Sequence, residues 1–193
     1  MGSLRAILAV ASVFALAGCL KVNPTGGSSG DGDGADDPPD VEGSLGAFDV
    51  VATLKQTSCG VGALGMANQW DFVVGLGRDG AAATWDVGGG PIAGVADGTG
   101  VELSFDARLV IDMRKEGDGG SNDLPACKIE RHDVATAILD DAKDPRAFQG
   151  TISYTFTPTT GSNCADLFVG STAQFAELPC TALYGVTGKK RAD

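Results

Sequence analysis

Along most of this chain the apolar residues recur at every second position, not every third or fourth. Phe48, Val50, Ala52 and Leu54 alternate with Asp49, Thr53 and Lys55, the period-two pattern of a half-buried β-strand. Trp70, Phe72, Val74 and Leu76 repeat it, and Asp79-Gly80 just beyond is a hairpin-turn signal. Val101, Leu103, Phe105, Ala107, Leu109, Ile111 and Met113 alternate with Glu102, Ser104, Asp106, Arg108 and Asp112, which predicts a long strand bent midway. Phe148, Ile152, Tyr154 and Phe156 alternate with Gln149, Thr151, Ser153 and Thr155. Shorter strands are predicted at 82–87, 91–95, 127–131, 134–139, 173–178 and 182–187, punctuated by Gly and Asp at the spacing of a meander. No window carries a 3.6-residue stripe over three turns. The expectation is an all-β domain over 45–193, a single antiparallel meander of eight to ten strands. A closed or partly open barrel is favoured over a two-sheet sandwich, because the connections are short and long strands with polar outer faces suit closure.

The alternation does not extend to residues 1–44. Arg5 gives a positive start, residues 6–16 are apolar and uncharged, and Ala17 and Gly18 are small. Those are the parts of an export signal, and the run is shorter than the roughly 20 apolar residues a spanning helix needs. The ending Leu16-Ala17-Gly18-Cys19 resembles the lipobox of bacterial lipoproteins. The resemblance implies removal of residues 1–18, lipid on the Cys19 sulfur and fatty acylation, with palmitate as a typical chain, of the new amine. Two or three acyl chains hold firmly where one binds only marginally, at roughly 0.8 kcal/mol per buried CH₂. Leu20, where the family's inner-membrane members carry Asp, implies sorting to the outer membrane. Residues 19–44 then form a linker. Its stretch Gly26-Gly27-Ser28-Ser29-Gly30-Asp31-Gly32-Asp33-Gly34 has too little apolar surface to offset its ordering entropy. Its reach is about 27 Å.

Charge narrows the partners. Without Arg5 the chain carries 13 basic against 25 acidic side chains, a net charge of −12. That repels phosphate backbones and anionic lipid alike, which argues against nucleic acid and leaves the lipid on Cys19 as the expected membrane contact. The remaining cysteines, Cys59, Cys127, Cys164 and Cys180, are even in number and lack Cys-x-x-Cys spacing. In an exported domain they read as two disulfides, with three pairings open. Strand order favours Cys59–Cys127 at one end of the domain and Cys164–Cys180, the latter worth roughly 3 kcal/mol.

Several motifs match only on paper. Gly60-Val61-Gly62-Ala63-Leu64-Gly65 and Gly75-Leu76-Gly77-Arg78-Asp79-Gly80 fit the dinucleotide pattern, but one leads into a strand and the other into a hairpin. Gly26-Gly27-Ser28-Ser29-Gly30 fits a nucleophile elbow yet lies in the linker. Asp31, Asp33 and Glu42 have calcium-loop spacing with Ala35 and Asp36 at wrong positions. The lone His132 stands beside Asp133 at a strand edge, and neighbouring strand residues face opposite ways. Trp70, Trp85 and Tyr154 are read as core residues with ligand-lining as the alternative. These readings assign no catalytic residue, cofactor or metal. Thr57-Ser58-Cys59-Gly60, Leu178-Pro179-Cys180 and the Trp between them are similar to features of glycine-rich bacterial surface lipoproteins, a likeness that implies no activity. The expected role is a lipid-anchored binding or interaction module of the cell envelope, not an enzyme, that meets another envelope protein or a small apolar ligand. The alternative is an envelope hydrolase using carboxylates such as Asp106, Asp112, Glu116 and Asp118.

Overall fold

In a computed structural model that describes residues 43–60, 62–114, 125–169 and 173–192, the alternating segments form eight antiparallel strands. They are β1 (Ser44–Thr57), β2 (Gln69–Asp79), β3 (Ala82–Asp86), β4 (Ile92–Ala96), β5 (Glu102–Asp112), β6 (Lys128–Leu139), β7 (Ala147–Pro158) and β8 (Cys180–Lys190). Each pairs with its sequence neighbour, and β8 pairs back onto β1 to close a barrel. The expected all-β meander is therefore a closed barrel, not a sandwich. Asp79 pairs with Ala82 across a two-residue turn whose first residue, Gly80, has φ +56°, the left-handed conformation that favours glycine there.

Two local expectations are corrected. The segments 127–131 and 134–139 are not separate strands. Unbroken ladders to β5 on one side and β7 on the other carry β6 straight through His132 and Asp133. The segment 173–178 is not a strand at all. The N–H groups of Gln174 and Phe175 donate to the Leu167 carbonyl and that of Ala176 to Cys59, so this backbone is satisfied by loops.

The period of two sorts the side chains by face. Phe48, Val50, Ala52, Val74, Leu76, Trp85, Leu103, Phe105, Phe148, Ile152, Tyr184 and Val186 fill the interior. Trp85, only 4% exposed, sits among Phe72, Phe105 and Phe148 with ring centroids 5.4–6.2 Å apart. The outer face of β7 carries Gln149, Thr151, Ser153, Thr155 and Thr157. On β7 the outward row is polar, whereas Val51, Val95, Val110 and Ile138 are exposed on the outer faces of β1, β4, β5 and β6.

A second apolar cluster caps the end where β1, β5 and β7 finish. It gathers Ala63, Ile129, Phe156, Leu167 and Phe175 around all four domain cysteines. The bridges are Cys59–Cys180 and Cys127–Cys164, so the expected pairing is overturned although the two-disulfide count stands. Barrel closure is the reason. Thr57 of β1 is in register with Ala182 of β8, and Ser58 N–H donates to Thr181, which puts Cys59 beside Cys180. The chain after β7 turns back to donate Asn163 N–H to Ala126, which sets Cys164 beside Cys127.

Candidate functional site: an opening in the barrel wall

The β3–β4 hairpin is too short for the barrel it helps to close. Its strands have 5 residues each, whereas β2 and β5 have 11 each. β2 pairs with β3 only over Gly75–Asp79, and β5 meets β4 only through Leu103, Ser104 and Phe105. Toward the disulfide cap, residues 69–74 of β2 and 106–112 of β5 therefore have no ladder partner among the described residues on the sides that face each other. Among the described residues no strand completes the wall between them, and partly exposed inner-face residues mark an opening there.

What lines the opening follows from strand parity. β2 contributes Trp70 and Phe72, stacked with centroids 4.4 Å apart and both only partly buried. Leu109 on the inner face of β5 is 39% exposed, as expected for an inward residue beside a gap. Across from them β6 turns Arg131 and Asp133 inward. The Arg131 guanidinium donates two hydrogen bonds to the Asp133 carboxylate, Nε to Oδ1 at 2.8 Å and Nη2 to Oδ2 at 2.6 Å. It also lies 5.5 Å from the Tyr154 ring centre. Tyr154 meets Tyr184 edge-on at 6.1 Å, and Tyr184 meets Trp70 at 6.3 Å. The aromatic path is thus continuous from the rim at Trp70 to the ion pair.

This pair is the conspicuous departure from the barrel's own pattern. Side-chain exposures of 34% for Arg131 and 15% for Asp133 leave it partly desolvated. Burial raises the Asp133 carboxyl above its ordinary value of 3.8, outweighing the opposing hydrogen bonds and charge of Arg131 and the charge of His132. Burial is also the main reason the Tyr154 phenol is pushed up to about 12, with the Asp133 charge second and Arg131 opposing. The Tyr184 hydroxyl donates to the Ala67 carbonyl at 3.0 Å. The Tyr154 hydroxyl has no hydrogen-bond partner among the described residues. Chemically the opening offers aromatic faces, one fixed ion pair and one uncommitted hydroxyl.

The residues singled out in the sequence are distributed differently. Trp85 belongs to the sealed core, while Trp70 and Tyr154 reach the opening. His132 points outward, its Nε2 2.6 Å from Asp106 Oδ2, in a surface ladder that includes Arg108 and Glu130 at 3.0 Å. Asp106 and Asp112 are both on that outer face, six residues or about 20 Å apart along the strand, so they form no enclosed carboxylate pair. Glu116 and Asp118 lie outside the described residues, as do Cys19, the linker and its paper motifs. Gly60 and Gly62 adopt φ +97° and +75° in the turn that leads to the three-residue 3-10 segment Ala63–Gly65, with no long helix after them. A shallow pocket of about 210 Å³ nearby is lined by Cys59, Gly60, Ala63 and Phe175 of the cap. Among the described residues no three His, Cys, Asp or Glu side chains converge to hold a metal ion.

Arg131, Asp133, Phe72 and Leu109 were not singled out as site residues. The signal for the first two is present: read as one strand, Ile129, Arg131, Asp133, Ala135, Ala137 and Leu139 share a face, and two opposite charges interrupt an apolar row. Comparison with protein-family models, curated proteins and solved structures finds no match to this chain.

Proposed function

We propose that the chain is a lipid-anchored binding module of the cell envelope, held at the outer membrane through Cys19 and binding its ligand at the opening between β2 and β5. The observation that carries the reading is the inward Arg131–Asp133 pair beside partly exposed aromatic rings, next to a buried core cluster that is apolar. Taking such a pair out of water is costly, and a well-packed apolar pair would serve the fold at least as well. Its position at the rim suits recognition. The ligand would have an apolar body to lie against Trp70, Phe72 and Leu109 and a polar end to meet the ion pair and the Tyr154 hydroxyl. A small amphipathic molecule or an apolar side chain of an envelope protein has that chemistry. The polar outer row of β7 supports leaving membrane attachment to the lipid.

The test is a photoreactive benzophenone amino acid placed at Phe72 or, on the exposed outer face of β8, at Thr187, in the native envelope. The expected result is a discrete adduct from position 72 that fades when Arg131→Ala is added, and none from position 187. No adduct at 72, or equal yields at both positions, would contradict the reading.

A further inference from the structure

The edge of β5 that borders the opening has a second property, independent of any ligand: its sequence is complementary to itself. Ladder parity defines what that edge presents. On the β6 side, the Val101 carbonyl accepts from Leu139 N–H and Met113 N–H donates to Cys127. On the β4 side, the Glu102 carbonyl accepts from Asp97 N–H. Odd residues thus turn their backbone groups to β6 and even residues away from it. Past Phe105, where β4 no longer pairs, Asp106, Arg108, Val110 and Asp112 point N–H and C=O at no strand among the described residues. An open row of this kind is a template for another strand. The segment Asp106-Ala107-Arg108-Leu109-Val110-Ile111-Asp112 has no Lys, no Pro and no bulge, and its charges are of both signs. Val110 on the outer face is 59% exposed, and Leu109 on the inner face is also open.

We infer that two copies of the chain dimerise by antiparallel pairing of β5 with β5, about a twofold axis through Val110. Parity allows only registers that set even residues opposite even ones, and charge selects among them. Centred on Val110, the register sets Val110 against Val110, Leu109 against Ile111 twice and Arg108 against Asp112 twice. The Val110 pair and both Arg108–Asp112 pairs each exchange two backbone hydrogen bonds. Centred on Leu109, it would oppose Asp106 to Asp112. Centred on Ile111, it would oppose Arg108 to Arg114. Like charges directly opposite are destabilising, and opposite ones add to the pairing. Arg108 and Asp112 side chains are 56% and 41% exposed, so each reaches across while its own-chain partners Glu130 and Lys128 stay adjacent. The interface is isologous and closed, as a twofold pair requires. It also brings Ile111 of the second copy beside Leu109, extending the apolar rim of the opening.

The test uses the full chain with Cys19→Ser, so that an added cysteine is the one unpaired thiol. Across a hydrogen-bonded antiparallel pair the Cα atoms are about 5.5 Å apart, within disulfide range. Val110→Cys should therefore give a covalent dimer on mild oxidation. Val51→Cys, exposed on β1 but paired on both sides, should not. Adding Arg108→Asp to Val110→Cys should lower the dimer yield about tenfold, and adding Asp112→Arg as well should restore it. If Arg108→Asp disturbs the circular dichroism of the barrel, Asp112→Arg alone serves as the single variant. A Val110→Cys yield no higher than that of Val51→Cys, or a charge swap that fails to restore dimer in a folded barrel, would overturn the inference.

Discussion

Tyr154 and Tyr184 are the only tyrosines in the chain, so one alkaline titration reports on the candidate site. Both phenols are raised, chiefly by burial. A raised phenol contributes stability that is complete below its unfolded value near 10 and is lost as pH rises through the folded value. The phenolate absorbance of the native chain should stay low at a pH where the unfolded chain has already titrated. Tyr154 should ionise near pH 12, and alkaline unfolding should follow. Because the Asp133 charge is the second cause of the Tyr154 shift, Asp133→Asn should move that titration to lower pH and leave Tyr184 in place. Two phenols titrating at the ordinary value in the folded chain would show that the Arg131–Asp133–Tyr154 cluster does not form. The cluster was half legible in the sequence. Tyr154 stands out as an aromatic residue with a polar handle, but Arg131 reads as the end of one short strand and Asp133 as part of the break before the next. A charged pair on an inner face contradicts the alternation used to find strands, and only the ladders on both sides of β6 show that the strand continues.

At the scale of elements, strands with a clean alternation were legible to within a few residues, because β1, β2, β5 and β7 each bury one apolar face. The segment 173–178 was misread because Phe175 supplies apolar character to a loop that packs on the cap. The cysteine pairing was misread for a topological reason: closure makes β1 and β8 neighbours, a relation that sequence proximity does not encode. Non-reducing peptide mapping should link Cys59 to Cys180 and Cys127 to Cys164; a Cys59–Cys127 peptide would refute the cap described here. The bridged residues lie 121 and 37 positions apart. Loop entropy gives each bridge about 4–5 kcal/mol, somewhat more for the longer span. Replacing either pair by serine should lower the denaturation midpoint by a corresponding amount, with Cys59→Ser/Cys180→Ser the more damaging.

The whole molecule combines a closed barrel with an apolar core, an acidic chain and an N-terminal sequence that resembles a lipoprotein signal. The barrel class was legible because period two and short connections restrict an all-β domain to few architectures. The opening was not, since it depends on β3 and β4 being shorter than their neighbours, a difference that matters only once all eight strands are in register. The proposed role depends on the compartment. In the proposal the lipid keeps the barrel among envelope components, and the same barrel without lipid would diffuse away from them. Intact-mass analysis of the chain purified from the membranes of its own host tests this most directly. The account predicts a mature species that starts at Cys19 and carries diacylglyceryl and acyl mass. A mature species of bare polypeptide mass, or one that starts elsewhere, would contradict it.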